Sequence, residues 1–137
     1  MGAWSHTPFG NDSALDWAAE LAESADCSVI EAALDRVLDT GTDYVDASDG
    51  EEAIAAIEVL AQMIGRGTEP DALPSDVKAW VVAQGVRPAP ALLEKARLAA
   101  ERLAGEDSEL AELWDDSDSA DAWRESLAQL QRAVAAG

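Results

Sequence analysis

The chain is short of bases, histidine and cysteine. Its 137 residues hold 28 acidic against 9 basic side chains, one histidine and one cysteine, for a formal net charge of -19. A polyanion of this kind repels nucleic acid and anionic lipid, whose capture depends on Lys and Arg neutralising phosphate. With Cys27 alone no intrachain disulfide can form, so a reducing, cytoplasmic setting is expected. One His and one Cys do not make a zinc site without carboxylates from distant segments. The first residues carry neither the basic stretch nor the apolar run of a signal peptide, and no segment reaches membrane-spanning length, so no membrane association is expected.

Phosphate-binding and calcium-binding loops are missing as well. Gly65-Arg66-Gly67 has neither the spacing nor the lysine of a P-loop. In Asp43-Tyr44-Val45-Asp46-Ala47-Ser48-Asp49-Gly50, a glycine at the sixth position of a calcium loop would put Val45 first and Ala56 twelfth, and neither can ligate. The run from Trp114 to Asp121 lacks the glycine altogether. No metal and no cofactor is expected.

Strand alternation is absent, and helical periodicity takes its place almost everywhere. The expected fold is all-α: a single-domain bundle over 1–137 of about six or seven short helices with an irregular N-terminal segment packed on it. The first helix is expected to start near Asn11 to Ser13 and to run through Leu15, Ala18, Leu21 and Ala25. Ser28 and Ser48, each with Glu three residues on, have capping-box spacing. They announce one helix through Ile30, Ala33, Leu34, Val37 and Leu38, ended by Gly41, and another through Ile54, Ile57, Leu60, Ala61 and Ile64. The stretch from about 65 to 74, with two glycines and two prolines, reads as the longest loop. Ser75 is the expected cap of a short helix with Val77, Trp80 and Val81 that ends near Gly85. Pro88 and Pro90 introduce the helix of Leu92, Leu93, Ala96, Ala99, Ala100 and Leu103. A short acidic turn with Leu110, Leu113 and Trp114 follows, then a last helix with Trp123, Leu127, Leu130 and Val134 on one face.

Charge is unevenly spread along this pattern. Residues 1–65 carry 14 acids and only Arg36 as a base, whereas 66–137 carry 14 acids and 8 bases. The first half therefore holds most of the field, which would speed encounter with a basic protein surface. Self-repulsion favours a monomer.

Candidate site residues gather in the opening, MGAWSHTPFGNDSALDW. His6 with Asp12 and Asp16 could supply a general base, with Ser5 or Thr7 as nucleophile, but neighbours in a loop need geometry that spacing does not supply. No catalytic residue is assigned and the chain reads as a non-enzyme. Cys27 has Asp26 and Glu31 beside it, which oppose a thiolate, so it reads as an ordinary small residue. Trp80 and Trp123 sit on apolar stripes and read as core. Trp4, Trp17 and Trp114 are candidates for a shared cluster or an exposed contact.

The opening resembles that of the bacterial domain of unknown function 4259 family. The matching residues are Met1, Gly2, Trp4, Phe9, Asn11, Asp12, Ala14, Asp16 and Trp17, in register without a gap, and the Leu113-Trp114 pair also looks like that family. Ser5 and Thr7 depart from the pattern, standing where the family usually has glycine. The resemblance carries over no activity. It does suggest a structural plug, in which Trp4 and Phe9 fold over the first helix beside Trp17 while Asn11 or Asp12 caps it, and deletion of residues 1 to 10 would cost several kcal/mol. The expected function is a non-catalytic acidic interaction module, in one form an immunity or inhibitor protein covering a basic toxin or enzyme. The alternative is a small-molecule binder or enzyme with its pocket at Trp4, His6, Asn11, Asp12 and Asp16.

Overall fold

A computed structural model describes residues 8–40, 43–68, 73–85 and 87–135. Among them the chain forms seven helices in the order α1 (Asp12–Ala22), α2 (Ser28–Leu38), α3 (Ala47–Met63), α4 (Ser75–Gln84), α5 (Pro90–Ala104), α6 (Glu109–Asp115) and α7 (Ala120–Ala135). The described residues contain no strand. One isolated parallel bridge joins Val45 to Ser108.

The bundle is organised around α3, which packs against each of the other six helices. Between Gly50 and Ala61 every residue but Glu52 is buried or nearly so. A helix covered on all sides needs small residues where its neighbours press closest, and α3 supplies Ala53, Ala55, Ala56 and Ala61. At Gly50 the fit is tighter still: a Cβ there would lie 3.1 Å from Leu103 of α5 and 3.3 Å from Leu110 of α6. Outer helices bury one stripe each, as Leu92, Leu93, Ala96, Ala99, Ala100 and Leu103 do on α5, and Trp123, Leu127, Leu130 and Val134 on α7. Helices α5 and α7 pack against each other and enclose the far side of the core.

Helix ends follow local chemistry. Asn11 caps α1 by accepting the Ala14 amide at 2.7 Å. The serines expected as caps are displaced inward. Helix α3 begins at Ala47 because Asp46, two residues ahead of Ser48, already accepts the Ser48 amide at 3.0 Å. Ser28 and Ser75 are likewise first helical residues, behind Cys27 and Pro74. Ser108, not anticipated, caps α6 through the Ala111 amide. Helix α1 stops at Ala22, short of Ala25, and its Leu15 lies 39% exposed rather than on the buried stripe. After α3 the chain makes a Schellman turn, with the Arg66 amide on the Ala61 carbonyl and the Gly65 amide on that of Gln62. Gly65 takes φ +75 there, a conformation that favours glycine. The stop expected at Gly41 lies outside the described residues.

Two polar groups within the core are satisfied by short links. Glu58, fully buried on α3, accepts from the Thr68 hydroxyl at 2.6 Å, from the Thr68 amide and from Gln62 Nε2, and so ties the following loop to the helix. The Trp80 indole N–H donates to the Ser24 carbonyl at 2.9 Å, fastening α4 to the end of α1. No described helix is long and apolar enough to cross a membrane.

Candidate protein-interaction face

The inner side of α1 is apolar, with Ala14, Trp17, Ala18 and Leu21 buried. Its outer side is set by Asp12, Asp16 and Glu20, four residues apart and all exposed. Like charges at that spacing repel one another by roughly 0.2–0.5 kcal/mol per pair, and α1 carries no cation to relieve them.

The first turns of α3 bring more acid to the same face. Glu51 is nearly buried, and its carboxyl is held above the ordinary range chiefly by that burial, opposed by a hydrogen bond from Ser13 and reinforced by Asp12 and Asp46. Glu52 is pushed up by burial as well; Arg36 opposes this, while Asp49, Glu20 and Asp16 add to it. The Arg36 guanidinium reaches Glu52 Oε1 at 2.9 Å and is the one described cation of α1–α3. Burial is thus the main cause that raises the proton affinity of Glu51 and Glu52, and the neighbouring acids of α1 add to it. Such a surface attracts cationic groups and becomes more comfortable when they arrive.

The residues singled out in the sequence divide into two sets. Asp12 and Asp16 belong to the exposed acidic face. Phe9, Asn11 and Trp17 lie inside, at 5%, 6% and 2% exposure, with Asn11 occupied as the α1 cap. Trp114 is also interior, on α6, which packs on α3, α5 and α7, whereas Trp17 sits on α1, which packs on α2, α3 and α4. Neither tryptophan offers an exposed contact. Trp4 and His6 lie outside the described residues, as do Ser5 and Thr7. The Trp17 indole N–H is buried and has no hydrogen-bond partner among the described residues. Glu51 and Glu52 were missed because a glutamate pair in a helix ordinarily faces solvent; the acids at positions 12, 16 and 20 were the available signal.

Elsewhere the chemistry is muted. Among the described residues no group of three or more His, Cys, Asp or Glu is arranged to hold a metal ion. Burial pushes the Cys27 thiol up, and Asp26 and Glu31 push it further, so its thiolate is disfavoured.

Comparison with known protein families gives a match over most of the chain. The family model described as Domain of unknown function (DUF4259) covers residues 2–126 of the chain. No curated protein and no solved structure matches it.

Proposed function

The chain belongs to the family described as Domain of unknown function (DUF4259), and from that premise we propose that it is a non-catalytic acidic interaction module whose partner is a basic protein. The observation that carries this reading is the acid-rich face of α1 and α3, where Asp12, Asp16 and Glu20 stand exposed with no base in their helix and Glu51 and Glu52 are held above the ordinary range, chiefly by burial. Solubility alone asks for scattered charge; it does not ask for three exposed acids on successive turns of one helix beside two glutamates lifted by burial. A cationic partner surface would relieve that repulsion on binding, so affinity and rapid encounter have the same source. An immunity or inhibitor protein that covers a basic toxin or enzyme in the cytoplasm is the specific form proposed. The module acts as a monomer, since a second copy brings the same charge.

A second reading, a small-molecule binder or enzyme with its pocket at the N-terminal motif, draws on one observation. The buried Trp17 N–H lacks a partner among the described residues and is a donor that a ligand acceptor would satisfy. Against it, Phe9 and Trp17 are packed in the core and the Asn11 side chain already serves the Ala14 amide.

The test is a pull-down from host lysate at low and high salt, run in parallel with an Asp16→Lys/Glu20→Lys variant. Basic proteins held by the parent chain at low salt, released by added salt and not retained by the variant are the expected result. An identical set retained by both chains, or no basic protein retained by either, would overturn the reading.

A further inference from the structure

Helices α2 and α5 run in the same direction. Lys95 Nζ of α5 meets Glu31 and Asp35 of α2 at 2.8 and 2.9 Å, and further along both helices Leu38 and Leu98 line one groove. Both C-terminal ends therefore open on the same place, bringing together two helix termini that carry negative partial charge. The groove has a volume of about 460 Å³ and is completed by Glu101, Arg102 and the segment Gly105-Glu106-Asp107.

Its floor is apolar and open: Leu98 is 40% exposed and Leu38 only partly buried. Its rim is acidic. Glu106 and Asp107 are exposed, and Glu101 meets only Arg97, at 3.3 Å, whose guanidinium lies mainly on Glu94. The groove's own cation is already engaged, because Arg102 donates to the Glu106 carbonyl at 2.7 Å, to the Asp43 carbonyl at 2.6 Å and to that of Asp107. Those bonds, with the Val45 amide on the Asp107 carbonyl at 2.8 Å, hold the rim in place.

We propose that this groove anchors an amphipathic basic helix of the partner, which seats an apolar side chain on Leu38 and Leu98 and places Arg or Lys, one turn away, against Glu101, Glu106 and Asp107. The proposal rests on the reading of the chain as a module for a basic protein and supplies what the α1 face lacks, an apolar foothold. Charge complementarity selects the occupant. A second copy of this chain, at net charge -19, would meet its own acid there, and a polyanion would meet the same rim. A bare cation would leave the leucines uncovered.

The experiment titrates the full chain, isotopically labelled, with a short amidated helical peptide of leucine, alanine and arginine, leucines on one face and arginines beside them, following backbone amide shifts. Saturable shifts centred on Leu38, Leu98 and Gly105 to Asp107 are expected. Binding should weaken about tenfold or more in Leu98→Ser and again in Asp107→Asn, each a loss of at least about 1.4 kcal/mol. Asp107→Asn keeps a residue that tolerates φ +59, and Leu98 is exposed enough that both variants retain the parent circular dichroism. A control peptide with serine for leucine should not saturate. Saturable shifts on Asp12, Asp16 and Glu52 that ignore Leu98→Ser would overturn the groove while leaving the acidic-module reading intact. No saturable shift with either peptide would overturn both.

Discussion

Helix α1 carries three acids in 11 residues and no base, whereas α5 carries two acids in 15 residues with three bases among them, and only α5 neutralises its own. On α5 the Arg97 guanidinium spans Glu94 and Glu101, and Lys95 reaches across to Glu31 and Asp35. Beyond it, Arg124 of α7 makes a bidentate pair with Asp115, donates to the Ala104 carbonyl and lies over the Trp123 ring. On α1, Asp12, Asp16 and Glu20 have no base in the helix, and the one nearby guanidinium, Arg36, is taken by Glu52. Charge pairing is therefore available to this fold and is used where helices meet. Its absence from α1 is a property of that surface and not of the acidic composition as a whole.

The comparison holds only if α1 is as firmly built into the core as α5, so its inner face is the first place to break it. Trp17 is 2% exposed, and Trp17→Ala is expected to cost about 3–5 kcal/mol. For a chain of this length that lowers the melting temperature by roughly 10 °C or more, which thermal circular dichroism reads directly. A shift of only a few degrees would mean that α1 is an appendage, and its naked charge would then say little about partners. Trp17→Phe, which discards the unpartnered N–H and keeps a ring, should recover most of the loss.

The outer faces give a smaller contrast. Lys95→Met keeps the stem and removes the cation between Glu31 and Asp35; all three side chains are more than a third exposed, so screening limits the expected effect to a small loss of stability. Asp16→Asn on α1 should instead leave stability unchanged or raise it by up to about 0.5 kcal/mol. Denaturant midpoints of the two variants measured side by side decide the matter. A loss at Asp16 comparable to that at Lys95 would show a hidden partner for Asp16 and erase the distinction between the two helices.

How much of this was legible beforehand follows from which interactions are local. The α1 cap could be read from Asn11, and the end of α3 from Gly65, because both are settled within a few residues. The caps at Ser28, Ser48 and Ser75 were misplaced by a residue or two because Asp46 and Pro74 stand just upstream and set the start first. The stripe of Ile54, Ile57, Leu60 and Ala61 announced α3. It gave no sign that Glu51 and Glu58 would be buried with it, since glutamate is ordinarily solvated and the groups that satisfy Glu58 lie in the turn beyond the helix. The groove was invisible for a different reason. It exists only because α2 and α5 lie parallel, and no pattern within either helix records that pairing. The acidic imbalance of the first half was plain; which of its carboxylates oppose one another required the packing of α1 on α3.

Acid titration sharpens the comparison most finely. Glu51 and Glu52 are held above the ordinary carboxylate value in the folded chain, so between that value and their folded ones the native state binds more protons than the unfolded state. Stability then falls as pH rises through this window and increases as pH is lowered toward the ordinary carboxylate value. Further acidification works the other way. Asp26, hydrogen-bonded to Ser28, and Glu94 and Asp115, bonded to Arg97 and Arg124, are held below their ordinary values, so protonating them removes stability. The melting temperature should therefore peak on the acidic side of neutrality, above its value at pH 7. A Glu51→Gln/Glu52→Gln variant should start higher at pH 7 and show a flatter rise. Should the variant keep the full rise, the effect would belong to the net charge of -19 at large, and α1 would lose its claim to be a distinct surface. A melting temperature that declines from pH 7 to 5 in the parent chain would show that Glu51 and Glu52 are not held above the ordinary carboxylate value, and would remove the support they give to the acidic face.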